Sequence, residues 1–381
     1  MNCIKSLTST SKQKIEFLSK NKRTFGIGSS IGSEKLVNMI FQAFMKPINS
    51  TMTTMESHKT IMTNIIEWHD RMNGSSNFSK ELEQLEKRID IHLHFGSSTV
   101  NIKCVYNPND HPYVSAIIHA VNTIFNAFPP STNKLEILVC LNEHERKFSD
   151  ECQFENYIDT INCLKKKSLG MNVSGATKNN NKWIIVTRKE EVIKLLFHEC
   201  VHYLNLDLSL RENPIISNWA TTKDKFDVHE AYTEFLSICI YCAYIACHLI
   251  KFKDASKVQE MYQIIMEYEC AYSICLCQKI LNFYGYFNSN FEKFFENKGD
   301  KNEQPILLWE YIFLRTICLL QTNNILDKLY NQDYRADTSG WLQKVMMNDG
   351  LLIKELNSLT RKTPWDSISY LAFDIDWIKL I

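Results

Sequence analysis

The segment from Val192 to Leu204 is an apolar run that encloses His198-Glu199-Cys200-Val201-His202. Val192, Leu195, Leu196, Val201 and Leu204 recur at helical spacing, which predicts a helix buried on several sides. Thr187-Arg188-Lys189-Glu190 has the Thr-x-x-Glu form of a capping box and places the expected helix start there. Such a helix constrains the fold strongly, because burying Glu199 costs free energy unless something compensates its charge. At 3.6 residues per turn, His198 and His202 lie one above the other on one face, where two imidazoles can share one Zn²⁺ ion. The pentad is short, and a chain with eleven histidines can meet it by chance. Two core histidines with ordinary hydrogen bonds would, however, leave the buried Glu199 unexplained.

Catalytic zinc takes three protein ligands and keeps a fourth position open. Leu208 stands six residues after His202, which excludes the metzincin ligand pattern. Farther on, Asp227-Val228-His229-Glu230 forms a second capping-box pattern, and the apolar run from Phe235 to Ile250 continues it as a helix. With His198-Glu199-x-x-His202 followed by Glu230 and Glu234, residues 187–236 resemble the gluzincin peptidases, the thermolysin-like group. The resemblance implies Glu230 as the third ligand, in the first turn of a later helix, and Glu234 as the acid that supports a ligating histidine. Two departures stand out. The stretch between His202 and Glu230 is longer than in thermolysin, and His229 occupies a position where the group usually has Asn. His229 is therefore a rival ligand, although it faces about 100° away from Glu230 on a helix. The site is also similar to those of zinc peptidases attributed to large DNA viruses, which implies a viral setting.

The function implied is a zinc-dependent metallopeptidase acting on a polypeptide substrate. One Zn²⁺ held by His198, His202 and Glu230 would act as a Lewis acid, while Glu199 takes the proton of the attacking water and returns it to the leaving amine. Tyr232, Tyr244 and His248 are the candidates for steadying the oxyanion, among sixteen tyrosines of which most are expected to serve packing. The alternative is a non-catalytic zincin-fold structural or virion scaffold protein that retains the zinc site.

Composition narrows the setting. A chain of 381 residues with 45% hydrophobic content can bury a sizeable core. Lys+Arg and Asp+Glu both total 43, so no net field recruits nucleic acid or an anionic membrane. The thirteen cysteines are scattered, several within apolar runs, as in a reduced cytoplasmic (intracellular) or virion-associated protein. Cys239-x-x-Cys242 lacks a second pair at zinc-ribbon spacing. The first residues carry no apolar signal segment, and Phe235 to Ile250 is shorter than a membrane span. Lys165-Lys166-Lys167 is expected to be a solvated loop.

The expected fold class is α+β and zincin-like: a small mixed β-sheet upper lobe over an active-site helix, with a mostly helical C-terminal lobe. Residues 1–33, ending in the glycines at 26, 28 and 32, are expected to be a flexible leader, and 34–88 an N-terminal helical segment broken at Asn73-Gly74-Ser75-Ser76. Residues 89–223 would form the α/β upper lobe. There Ile89 to Phe95 and Thr99 to Tyr106 alternate as a hairpin, with His92 and His94 on an exposed face. A helix from His111 to Phe128 follows, stopped by Pro129-Pro130, and Leu135–Leu141 and Trp183–Thr187 are two further strands. Asn172 to Thr177 is the candidate edge segment for strand addition by a substrate, since Gly175 permits close backbone approach, and the run Asn179-Asn180-Asn181 equally allows a plain loop there. Residues 224–381 would be the helical lower lobe carrying the third ligand.

Overall fold

The computed structural model describes residues 5–21, 25, 27–55, 84–130, 134–143, 175–178, 183–207, 228–250, 254–283, 291–292, 308–331, 338–346, 348–358 and 369–380. Alternation of apolar and polar residues builds a six-stranded mixed sheet. Its strands are β1 (Ser50–Met55), β2 (Lys87–Phe95), β3 (Ser98–Tyr106), β4 (Lys134–Cys140), β5 (Gly175–Lys178) and β6 (Trp183–Val186), in the order β1-β2-β3-β4-β6-β5. The β2–β3 hairpin and the β1–β2 and β5–β6 pairs are antiparallel. β3–β4 and β4–β6 are parallel.

The register aligns Ile91, Ile102, Ile137 and Ile184 in one row across the sheet, each fully buried. Such burial is worth about 1.5–3 kcal/mol per side chain. Thr177 on β5 ends this row opposite Ile184. Since paired residues share a face and alternate residues repeat it, Thr177 and Gly175 both lie on the helix-covered side. His92 belongs to the opposite face, where its Nδ1 lies 2.6 Å from Asn101 Oδ1, and His94 is exposed.

The remainder is mostly helical, so the α+β expectation holds at that level. α1 (Ser9–Lys20), α2 (Ile31–Phe44) and α3 (His111–Ala127) are followed by α4 (Val192–Tyr203), α5 (Val228–Leu249) and α6 (Ala255–Phe283). α7 (Leu308–Leu320), α8 (Thr322–Asn331), α9 (Thr338–Met346), α10 (Asp349–Asn357) and α11 (Trp377–Leu380) follow among the described residues. α4 packs against β5, β6 and α5, while α5 also meets α2, α6 and α7. α5 is apolar almost all round because it is central. The stretch His229–Leu249 is long and apolar enough to cross a membrane, yet 89% of its apolar window is buried inside the protein, the pattern of a core helix.

Several expectations need correction. The flexible leader over 1–33 instead contains α1, pinned because Leu7, Ile15 and Leu18 are buried and Leu7 bridges to Ile375. Its Lys14 is also buried and donates to Ser369 Oγ at 2.5 Å and the Leu371 carbonyl at 2.7 Å. Gly32 lies not in a linker but in α2, so close to α8 that a Cβ would sit 2.1 Å from the Leu326 carbonyl carbon. The helical segment over 34–88 contains β1, which adds to the hairpin edge. The capping box Thr187-x-x-Glu190 does not form either. α4 starts at Val192 after Glu191, which has left-handed backbone (φ 59°) and no side-chain cap bond. The Glu191 carboxylate instead accepts the Leu371 amide at 2.7 Å, an outside contact that sustains a conformation costing about 1–3 kcal/mol. Asn73 to Ser76, Lys165 to Lys167, Asn172 to Ser174 and Asp227 fall outside the described residues.

Candidate metal centre

Every residue of α4 is buried, and His198, Glu199 and His202 project from it toward β5 and the start of α5. The His198 and His202 rings stand edge to face with centroids 4.8 Å apart, and their Nε2 atoms are separated by 3.1 Å. Glu230, in the first turn of α5, places Oε2 3.2 Å from His198 Nε2 and Oε1 3.3 Å from His202 Nε2. Ligands at about 2.0–2.1 Å from a tetrahedral ion are about 3.3 Å apart, so these three donors have the mutual spacing of one coordination sphere.

The opposite ring nitrogens explain why the spacing calls for a cation. His198 Nδ1 lies 2.9 Å from Glu234 Oε2, and His202 Nδ1 lies 2.6 Å from Asp207 Oδ2. A carboxylate can only accept, so each Nδ1 carries the proton, and in the neutral rings each Nε2 presents a lone pair. Two lone pairs and the Glu230 carboxylate then face one another. Only a positive charge between them, a metal ion or a proton, resolves that repulsion. The donor set therefore fits a metal ion, and the residues that fit are His198, His202 and Glu230.

Without a metal ion, protons take up this role. Burial would lower the His198 imidazole, but hydrogen bonds to Glu230 and Glu234 outweigh it and raise it to about 10. His202 is likewise raised, by Asp207 and Glu230 against its burial. Burial would raise the Glu230 carboxyl, yet the two imidazoles hold it well below the ordinary carboxylate range. Glu199 is different: burial dominates and pushes it up, against the opposing pull of His198, His202 and Thr177.

Asp207 went unnoticed in the sequence, although a signal was present. α4 ends in a Schellman turn: Leu206 N donates to Val201 O at 3.1 Å, Asn205 N donates to His202 O at 3.1 Å, and Asn205 is left-handed (φ 54°). That turn folds the chain back and sets Asp207 against His202. An Asn able to adopt this conformation three residues after His202, with an acid two residues beyond, is the readable form of this device.

His229, the rival ligand, is placed elsewhere. Its Nε2 lies 2.7 Å from Asp207 Oδ2, and Thr233 Oγ1 donates to that oxygen at 3.0 Å. His202, Asp207 and His229 form a second group compact enough to suggest a metal. Their separations of 2.6 and 2.7 Å are those of charge-assisted hydrogen bonds, too short for two donors on one ion. His229 thus supports Asp207, and its Nδ1 stands 3.7 Å from Glu230 Oε1.

Glu199 faces the sheet edge. Thr177 Oγ1 lies 2.7 Å from Glu199 Oε2 and 2.9 Å from its backbone carbonyl. A Cβ at Gly175 would sit 2.6 Å from Glu199 Oε1, so any side chain there would displace the carboxylate from its present position. Behind His198, Glu234 is also bound by two cations that sequence reading missed, Lys194 of α4 and Arg315 of α7.

The oxyanion candidates do not join the site. Tyr232 is two residues beyond Glu230, about 200° round the helix, and packs on Phe235 with centroids 6.2 Å apart. Tyr244 and His248 lie toward the far end of α5, about 21 and 27 Å along it from Glu230 at 1.5 Å per residue. Tyr244 donates to the Ala116 carbonyl at 3.3 Å. His248 packs among Phe44, His119, Tyr244 and Trp377. Cys239 and Cys242 are buried free thiols in the middle of α5, as are the other cysteines among the described residues.

No protein-family model matches the chain. No solved structure matches it either. Among curated proteins, the chain is 31% identical over 385 residues to "Uncharacterized protein R210" of Acanthamoeba polyphaga mimivirus, with 98% of each chain covered. Identity at that level across nearly the whole of both chains places this protein in one family with that viral protein.

Proposed function

We propose that this protein is a zinc-dependent metallopeptidase of gluzincin type, with β5, β6 and the metal-binding helix arranged as in a zincin. The observation that carries this reading is the convergence of His198 Nε2, His202 Nε2 and Glu230 at 3.1–3.3 Å, with both Nδ1 atoms already committed to carboxylates. Two neutral imidazoles and one carboxylate suit zinc, and leave an open position for a reactant. The Glu230 side chain is 36% exposed, so the meeting point has a solvent-facing side. A zinc ion bound there would supply Lewis-acid polarisation of a scissile carbonyl and activation of water.

This chain's residues then divide the remaining work. Glu234 and Asp207 hold the two rings in the tautomer that aims Nε2 inward. Glu199 takes the proton of the attacking water and delivers it to the leaving amine, and its raised proton affinity suits both steps. Thr177 steadies the Glu199 carboxylate from the sheet edge. Among the described residues β5 pairs with β6 alone in the sheet order, so an extended polypeptide is the substrate geometry that strand addition to β5 would favour. An intracellular, reducing setting, in an infected cell or a virion, suits the free thiols.

One observation favours a second reading, a zinc-retaining scaffold without turnover. Glu199 is only 5% exposed, with its carboxylate pressed against Gly175 and Thr177. The test is Glu199→Gln in zinc-loaded protein assayed against a peptide library. We expect zinc content unchanged and cleavage reduced about 10²–10⁴-fold. Zinc binding without cleavage by the native protein would select the scaffold.

A further inference from the structure

Behind the three donors lies a buried assembly that contacts no metal position. Glu234 is fully buried. Its Oε2 serves His198 Nδ1 at 2.9 Å, while its Oε1 receives Lys194 Nζ and, at 3.4 Å, Arg315 Nη1. Lys194 stands one turn before His198 on α4 and is 1% exposed; Arg315 comes from α7 and is 0% exposed. Both cations also face the Tyr370 ring, with Lys194 Nζ 5.1 Å and the Arg315 guanidinium carbon 5.3 Å from its centroid. Arg315 further donates to Ser273 Oγ at 2.7 Å and to the Tyr370 carbonyl at 3.5 Å.

Lys194 also feels the buried Glu191 carboxylate and Arg315 the buried Glu269 carboxylate, yet both cations place their hydrogen bonds to Glu234 on the same oxygen. The consequence is geometric: with Oε1 fixed from two directions, the Glu234 carboxylate cannot rotate away from His198 Nδ1, and the imidazole plane follows it. Lys194 references that carboxylate to the metal-binding helix itself. Arg315 references it to α7 and the C-terminal segment, neither of which supplies a donor.

We propose that Lys194 and Arg315 are positioning residues of the metal centre, locking Glu234 against His198 so that zinc affinity depends on α7 and on Tyr370. This rests on the metal-site reading above, and it goes further by naming residues that reach the metal position through Glu234 and not directly. The measurement is zinc affinity by chelator competition, together with the visible spectrum of the cobalt-substituted protein, so that no substrate is needed. Lys194→Met and Arg315→Gln should each weaken zinc about 10–100-fold and alter the cobalt spectrum, with Arg315→Lys restoring part of the loss. In a Glu234→Gln background, both substitutions should lose most of their effect on zinc.

Metal-free thermal unfolding identifies variants that fold poorly, and for these Lys194→Arg and Arg315→Lys, which keep each charge but move it relative to Glu234, are the substitutes and should each weaken zinc measurably. Native protein that takes up no zinc overturns the metal reading together with this one. Native protein that binds zinc, with folded variants of unchanged affinity or of equal loss in the Glu234→Gln background, overturns the positioning role alone.

Discussion

The two ends of α5 each stand beside a pair of histidines, and they put those imidazoles to different use. At the N-terminal end, His198 and His202 have ring centroids 4.8 Å apart, and three carboxylates, Glu230, Glu234 and Asp207, address their nitrogens. At the C-terminal end, His119 and His248 are 5.2 Å apart within a cluster of Phe44, Tyr244 and Trp377. Burial there lowers the His248 imidazole to about 3, with His119 contributing, whereas His198 is raised to about 10. Proximity of imidazoles therefore does not make a metal site. Carboxylates that assign the tautomer from outside, and a third donor that closes the inside, give a group that could hold a metal ion.

The contrast breaks most sharply under alanine substitution. His202→Ala should abolish stoichiometric zinc in protein purified from zinc-replete medium, while His248→Ala should leave it intact, as read by elemental analysis. Loss of zinc in both would mean that the two pairs are not functionally distinct. Next in size, Asp207→Asn should weaken zinc about 10–100-fold by removing the support of His202, measured by chelator competition. An unchanged affinity would show that the turn at Asn205 orients nothing.

Zinc uptake by the N-terminal pair should also release protons near pH 7, because His198, raised to about 10, must lose its proton to ligate. Calorimetry in buffers of different ionisation enthalpy reads that release, and affinity should climb with pH until the imidazoles are neutral. Buffer-independent heats would contradict this. The smallest effect belongs to the C-terminal pair. A His whose folded value lies below its unfolded value of about 6.5 favours the fold when neutral, so that contribution is complete above pH 6.5 and is lost as pH falls toward 3. His248→Phe should therefore narrow the gap in Tm between pH 7 and pH 4.

How much of this could be read in advance depended on the range of the interactions. The hairpin of β2 and β3, helix α3, β4 and β6 were legible, because period-two and period-3.6 patterns arise from which face is buried. That His198, His202, Glu230 and Glu234 come together was legible from two helical patterns and the spacing of their polar residues. α1 was not, since its few apolar positions gain meaning only against α6 and the C-terminal segment near Ile375, both far away in the chain. The start of α4 was misplaced for the same reason. A local capping pattern at Thr187 lost to Glu191, whose carboxylate finds its partner 180 positions away at Leu371.

Sequence alone determined that a buried helix would carry two histidines on one face with an acid beside them, because 3.6 residues per turn leaves no other arrangement. Tertiary structure decided which other groups complete the site. Asp207 reaches His202 through a turn that must first form. Gly175 and Thr177 reach Glu199 only because β5 pairs with β6 above α4. Lys194 and Arg315 meet at Glu234 from helices far apart in the chain. Those contacts are set by packing across long separations, where the free energy of burying charges in mutual contact, rather than any local periodicity, selects the partners.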